Sequence, residues 1–129
     1  MALPARILIV DDEKPIATVL AQTFGQDGHV VASAADGIDC MNKMASFRPD
    51  VVLMDIMMPK LDGVDTTRLI RRNRSYGETI VVALSAKSDE ETRHRMKEAG
   101  ANLFMRKPFV IAKLLARVSR MLEIRSESL

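Results

Sequence analysis

Four short apolar runs and a weaker fifth, evenly spaced, limit what this chain can fold into more than any other feature. Ile7-Leu8-Ile9-Val10, Val51-Val52-Leu53-Met54, Ile80-Val81-Val82-Ala83-Leu84 and Leu103-Phe104-Met105 are continuous rather than alternating. A strand that is apolar at every position must be covered on both faces, as in a parallel sheet under helices. The weaker run is His29-Val30-Val31-Ala32-Ser33. Strand starts at 7, 29, 51, 80 and 102 leave gaps of 22, 22, 29 and 22 residues, each long enough for one strand and one crossover helix. No Leu-x-x-Leu-x-Leu pattern recurs at that spacing, which excludes a solenoid.

The intervening segments carry helical periodicity. Ile16, Val19, Leu20, Thr23 and Phe24 form an amphipathic stripe, and Pro15 suits a first helical turn. Ile111, Leu114, Leu115, Val118 and Leu122 form a second stripe. Asp36 and Asp62 are placed to cap two further helices. Ser88 with Glu91 reads as a capping box opening a helix over 88–99. Only Met96 and Ala99 are apolar within that helix, so it is expected to be the least firmly anchored element and the one that moves. The architecture that follows is α/β, a (βα)5 doubly wound parallel sheet.

A length of 129 residues suits one domain, and a single cysteine, Cys40, excludes an internal disulfide or a Cys-rich zinc site. Nineteen Lys and Arg against 17 Asp and Glu leave a formal charge of +2, which admits nucleic acid as a partner without pointing to it. Pro4 interrupts the opening segment, and no apolar run approaches the roughly 20 residues of a membrane span. These features predict a soluble cytoplasmic protein with no membrane partner.

In such a sheet ligands gather at the carboxyl ends of the strands. Asp11, Asp12 and Glu13 follow the first run, Asp55 the second continuous one, Ser85 the third, and Lys107 with Pro108 the last. Four strands therefore deliver polar groups to one edge. Two carboxylates at 4 Å repel by about 1 kcal/mol in water and about 4 kcal/mol at an effective dielectric of 20. A cluster of them needs a compensating cation, and hard oxygen donors with open positions suit Mg²⁺. Lys107 adds a compact positive charge and Ser85 a hydroxyl donor. Asp55 in that setting is a candidate nucleophile toward phosphorus.

Val10-Asp11-Asp12-Glu13, Met54-Asp55-Ile56-Met57-Met58-Pro59-Lys60-Leu61-Asp62-Gly63, Leu84-Ser85-Ala86 and Lys107-Pro108-Phe109, in this order, resemble the four signatures of response-regulator receiver domains. The resemblance covers about residues 5–125. It implies a flavodoxin-like fold with strand order 2-1-3-4-5. It implies that Asp55 accepts a phosphoryl group from the phosphohistidine of a sensor histidine kinase or phosphotransfer protein. Asp12 and Asp55 would hold Mg²⁺ with the backbone carbonyl of Met57, and Asp11 would act mainly through a bound water. Ser85 and Lys107 would contact the phosphoryl group, and Phe104 would be the aromatic switch. The resemblance also implies a cis Lys107-Pro108 bond, and a downstream protein target on the face of helix 4, strand 5 and helix 5. Ser85 stands where the family often has Thr, and Phe104 lacks a tyrosine hydroxyl, so switching rests on packing. Met57 and Lys87 occupy positions where the family tunes phosphate lifetime.

The expected protein is a single receiver domain over 1–129, standing alone and signalling by protein contact rather than turning over an external substrate. A receiver cut from a longer DNA-binding regulator or hybrid kinase shares the same chemistry. An aspartyl-phosphate phosphatase resembles Asp-x-Asp at its nucleophile, whereas position 57 here is Met. A flavin module needs a Ser/Thr-rich phosphate loop after the first strand, where this chain is acidic. Simpler readings stand beside these: Asp11 and Asp12 as helix caps, Phe104 and Cys40 as core, Met54, Met57 and Met58 as filler, and His29 and His94 without ligand partners. Arg68, Arg71, Arg72 and Arg74 suit a helix C-terminus. Together with Arg93, Arg95 and Arg106 they also suit docking of an acidic partner.

Overall fold

The computed structural model describes residues 4–58, 61–86 and 89–127. Strands β1 (Arg6–Val10), β2 (Val30–Ala34), β3 (Val51–Asp55), β4 (Ile80–Ser85) and β5 (Leu103–Arg106) start within one residue of the expected positions. They alternate with helices α1 (Lys14–Gln26), α2 (Gly37–Phe47), α3 (Gly63–Arg72), α4 (Glu90–Ala99) and α5 (Ile111–Glu127). A 3-10 turn, Arg74–Tyr76, follows α3. All strand pairings are parallel, in the order β2-β1-β3-β4-β5, which is the flavodoxin-like order.

The two-residue alternation of a strand explains the continuous runs. Ile7 and Ile9 of β1, Val51 and Leu53 of β3, and Val82 and Leu84 of β4 pack with Leu20 and Phe24 of α1 and Leu114, Val118 and Leu122 of α5. Leu8, Val10, Val52, Met54 and Val81 point the other way, onto Cys40 and Met44 of α2 and Ile70 of α3. Each central strand thus feeds two cores. The edge strand β2 feeds them less, with Val30 about half exposed, and its run is the weakest in sequence.

Local chemistry sets the helix ends. Asp36 accepts from the Asp39 amide at 2.8 Å and Asp62 from the Asp65 amide at 2.9 Å, as expected of N-caps. At α4 the cap is Asp89, which accepts from the Thr92 amide at 2.7 Å. This corrects the expected Ser88–Glu91 box, since the helix begins later; Ser88 itself lies outside the described residues. Asp caps as well as Ser and adds charge favourable to a helix N-terminus. The buried face of α4 is only Thr92, Met96 and Ala99, as thin as the sequence implied. At the far end of the sheet from the strand carboxyl ends, Arg125 ties α5 down, donating to Asp50 Oδ1 and the Glu78 carbonyl, both at 3.1 Å. No helix among the described residues is long and apolar enough to cross a membrane.

Candidate functional site

Three strands converge at one point. β3 ends on Asp55, which is 3% exposed. Asp11 follows β1 and is also buried, whereas Asp12 is exposed. Glu13, at the N-cap position of α1, has no side-chain capping bond of its own. Its amide instead donates to Asp11 Oδ1 at 2.8 Å, so one carboxylate serves both the turn and the site. Asp11, Asp12, Glu13 and Asp55 each offer an oxygen, and all four oxygens lie within 4.8 Å of one another. Lys107, just past β5, reaches back with Nζ 3.1 Å from Asp11 Oδ2 and 3.6 Å from Asp55 Oδ1.

This position depends on how closely α3 approaches the end of β3. A Cβ on Gly63 would sit 2.5 Å from the Asp55 carbonyl oxygen and 2.7 Å from the Ile56 Cα. Only glycine lets the first turn of α3 press there, and its amide donates to the Ile56 carbonyl at 3.0 Å. The Met57 amide turns back to Asp55 Oδ1 at 3.3 Å, while its side chain is exposed. Ser85, the last residue of β4, is fully buried next to the β3 end. The Lys107 amide donates to its carbonyl at 2.8 Å, and the Lys107-Pro108 bond is cis.

Electrostatics follow from this crowding. Burial pushes the Asp55 carboxyl up to about 6; Asp11 and, less, Asp12 push the same way, against Lys107 and the Met57 amide. Burial alone would lower the Lys107 ammonium, but Asp55 and Asp11 beside it carry it above the ordinary lysine value. Four carboxylates face one ammonium. Hard oxygen donors without thiol or imidazole, in excess over the only cation bonded to them among the described residues, fit a magnesium-type ion.

Phe104 lies in β5, half-buried against Ile56, Val64, Ala83 and Met96, with the Arg93 guanidinium 5.2 Å from its ring centroid. The sequence reading put Asp11, Asp12, Asp55 and Lys107 together, and the fold does so. It set Glu13 at the same strand edge but gave it no metal-ligand role, although its oxygen lies with the other three. It also missed Arg93 on Phe104, which no local spacing announces. Lys87 lies outside the described residues. His29 is an internal acceptor, taking the Ala5 amide on Nδ1 at 3.0 Å.

The response regulator receiver domain family matches residues 7–119. Response regulator MprA of Mycobacterium sp. (strain KMS) is 36% identical over 121 residues, which are 93% of this chain and 51% of that protein. The chain therefore spans about half the length of the curated relatives it matches. Chemotaxis protein CheY4 of Vibrio cholerae superposes with a TM-score of 0.87 at 29% identity, covering 92% of this chain and 99% of that one. The BeF3-activated receiver domain of DrrB, a Thermotoga maritima protein, gives 0.84 at 35% identity, covering 94% and 99%. With the strand order, the carboxylate cluster and the family match in agreement, the chain belongs to the response regulator receiver domain family.

Proposed function

We propose that this receiver accepts a phosphoryl group on Asp55 from a histidine kinase or phosphotransfer protein and passes the signal on by protein contact. The observation that carries the reading is the lysine ammonium held against Asp11 and Asp55 inside a cluster of four carboxylates. An Asp55 oxygen attacks phosphorus while the bond from phosphorus to the histidine nitrogen breaks. The imidazole leaves with the bonding pair and takes a proton from solvent, and nothing is oxidised or reduced. Water later cleaves the acyl phosphate, returning inorganic phosphate and the carboxylate.

Asp12, Asp55 and the Met57 carbonyl are proposed to hold magnesium, with Asp11 acting through water and Glu13 at the rim. The ion supplies positive charge to the phosphoryl oxygens. Lys107 sits where it can leave Asp55 for a phosphoryl oxygen, offsetting the same charge. The Ser85 hydroxyl donates to another of those oxygens, and Phe104 turns toward the space Ser85 leaves. The chain assists its own phosphorylation and dephosphorylation and turns over no external substrate.

Intact-mass spectrometry with acetyl phosphate tests this. One added phosphoryl group is expected with magnesium, none after chelation, and none in Asp55→Asn. Addition that persists in Asp55→Asn removes the assignment. A second reading, a receiver segment of a longer regulator, is favoured by the 51% coverage of MprA. The length of the intact gene product separates it from the stand-alone form.

A further inference from the structure

The nine methionines of the chain divide once placed in the fold. Met44, Met54, Met58, Met96 and Met105 are buried in the cores, and Met41 and Met121 are half-buried against them. Met57 is 60% exposed, the only exposed methionine among the described residues. Its neighbours show why. Ile56 and Met58, on either side in the connection from β3 to α3, are both buried, and the residue between them is left outward. The Met57 backbone is nevertheless held, its amide on Asp55 Oδ1 at 3.3 Å. The side chain buries little there, so its sulfur rather than its volume sets it apart. Cys40, the single thiol of the chain, is fully buried and pushed up to about 12, which makes it a poor competitor for an oxidant.

We propose that Met57 is a redox modification site, where a hydroperoxide converts the thioether to a sulfoxide and so tightens magnesium at the carboxylate cluster. A sulfur lone pair attacks one peroxide oxygen, the S–O bond forms and the O–O bond breaks. Sulfur gives up two electrons, the peroxide is reduced, and the departing hydroxide takes the proton of the transferred oxygen to become water. Two thiols of a reductant reverse the step, giving a disulfide and water. Burial imposes selectivity: the core methionines react only when the chain opens, whereas Met57 is reached in the folded state. The effect on the metal follows from donor type. A thioether is a soft donor unsuited to magnesium, and a sulfoxide presents a hard, partly negative oxygen. That oxygen is created two residues from Asp55, on the residue whose amide already touches its carboxylate. The effect rests on the reading of the cluster as a magnesium site; the modification does not.

The test treats the full chain with hydrogen peroxide and maps added oxygen by mass spectrometry of its peptides. One oxygen is expected on Met57 at a rate at least about tenfold above that at Met44, Met54 or Met96. Calorimetric titration with magnesium then compares the singly oxidised chain with the untreated one, and the dissociation constant is expected to fall about threefold. Sulfoxide reductases for both epimers, with a dithiol, should restore the untreated value. Met57→Leu is compared only with its own peroxide-treated form, and the two should titrate alike. Oxygen spread evenly over the methionines or appearing first in the cores overturns the proposal. So does Met57 sulfoxide that leaves magnesium binding unmoved or weaker, or a peroxide effect that persists in Met57→Leu. Magnesium binding that oxidation does not alter removes this proposal and leaves the metal reading intact. Selective oxidation of Met57 in a chain that binds no magnesium before treatment removes the metal reading itself, and the proposed effect with it.

Discussion

At the scale of single residues, Asp55 shows how the proposed phosphoacceptor role would oppose stability. Its carboxyl is raised from 3.8 to about 6, chiefly by burial. The folded state therefore holds its proton more tightly than the unfolded chain does between those two values. Stability from this group is full below about pH 4, declines as pH rises toward 6, and is absent at neutrality. Asp55→Asn removes the ionising group, so in magnesium-free buffer at pH 7 the variant is expected to be more stable by up to roughly 3 kcal/mol. Denaturant unfolding at pH 7 and pH 4 checks this: the gain should disappear at the lower pH, and an equal gain at both would contradict the cause given. Cys40 behaves differently. Burial, with Asp39 adding a little, pushes its thiol up to about 12. Alkylation by iodoacetamide at pH 8 should then proceed only as fast as the chain opens, and a rate like that of a free thiol would count against a buried Cys40. Asp11, Asp55 and Lys107 were legible in the sequence because each follows an apolar run. The dual task of Asp11, holding the Glu13 amide and Lys107 at once, was not, because it depends on a partner 96 positions away.

At the scale of elements, α4 is unlike the other helices. Its sequence shows a thin apolar stripe, and the fold adds little burial to it. Polar anchors hold it at both ends. Asp89 caps the start, and Arg71 bonds the Gly100 carbonyl just past the end, where Gly100 takes a φ of +110° that disfavours other residues. Asp89→Ala is expected to cost about 1 kcal/mol in denaturant unfolding, as loss of an N-cap does. Arg71→Ala removes three hydrogen bonds that join α3, the 3-10 turn and the α4–β5 connection. Hydrogen exchange should then quicken at 97–102 more than in α2, and protection unchanged there would show that apolar contacts alone suffice. The strands were readable because burial on both faces writes itself into every position. The clamp on α4 was not, since Arg71 acts across 29 residues and its run looks like ordinary charge at a helix C-terminus.

At the scale of the whole molecule, Lys107 is placed, under the proposed function, to connect the chemistry with movement. It links the ends of β1, β3 and β5 through Asp11 and Asp55, and it begins the segment that leads into α5. β5 also carries Phe104, whose ring touches the Arg93 guanidinium of α4. A shift of Lys107 from carboxylate toward a phosphoryl group therefore pulls on the strand that holds the α4 contact. The far end is held by Arg125 on Asp50, so any displacement under the proposed function is expected at the carboxyl edge of the sheet. Lys107→Ala leaves Asp55, the proposed phosphoacceptor, in place but removes the proposed pull, and it strips the cluster of its bonded cation. Acetyl phosphate with magnesium should still label the variant, more slowly than the unmodified chain. The difference in amide exchange over 89–99 between labelled and unlabelled protein, expected in the unmodified chain, should then be lost. If Lys107→Ala keeps that difference in full, movement reaches α4 by a route that does not pass through β5.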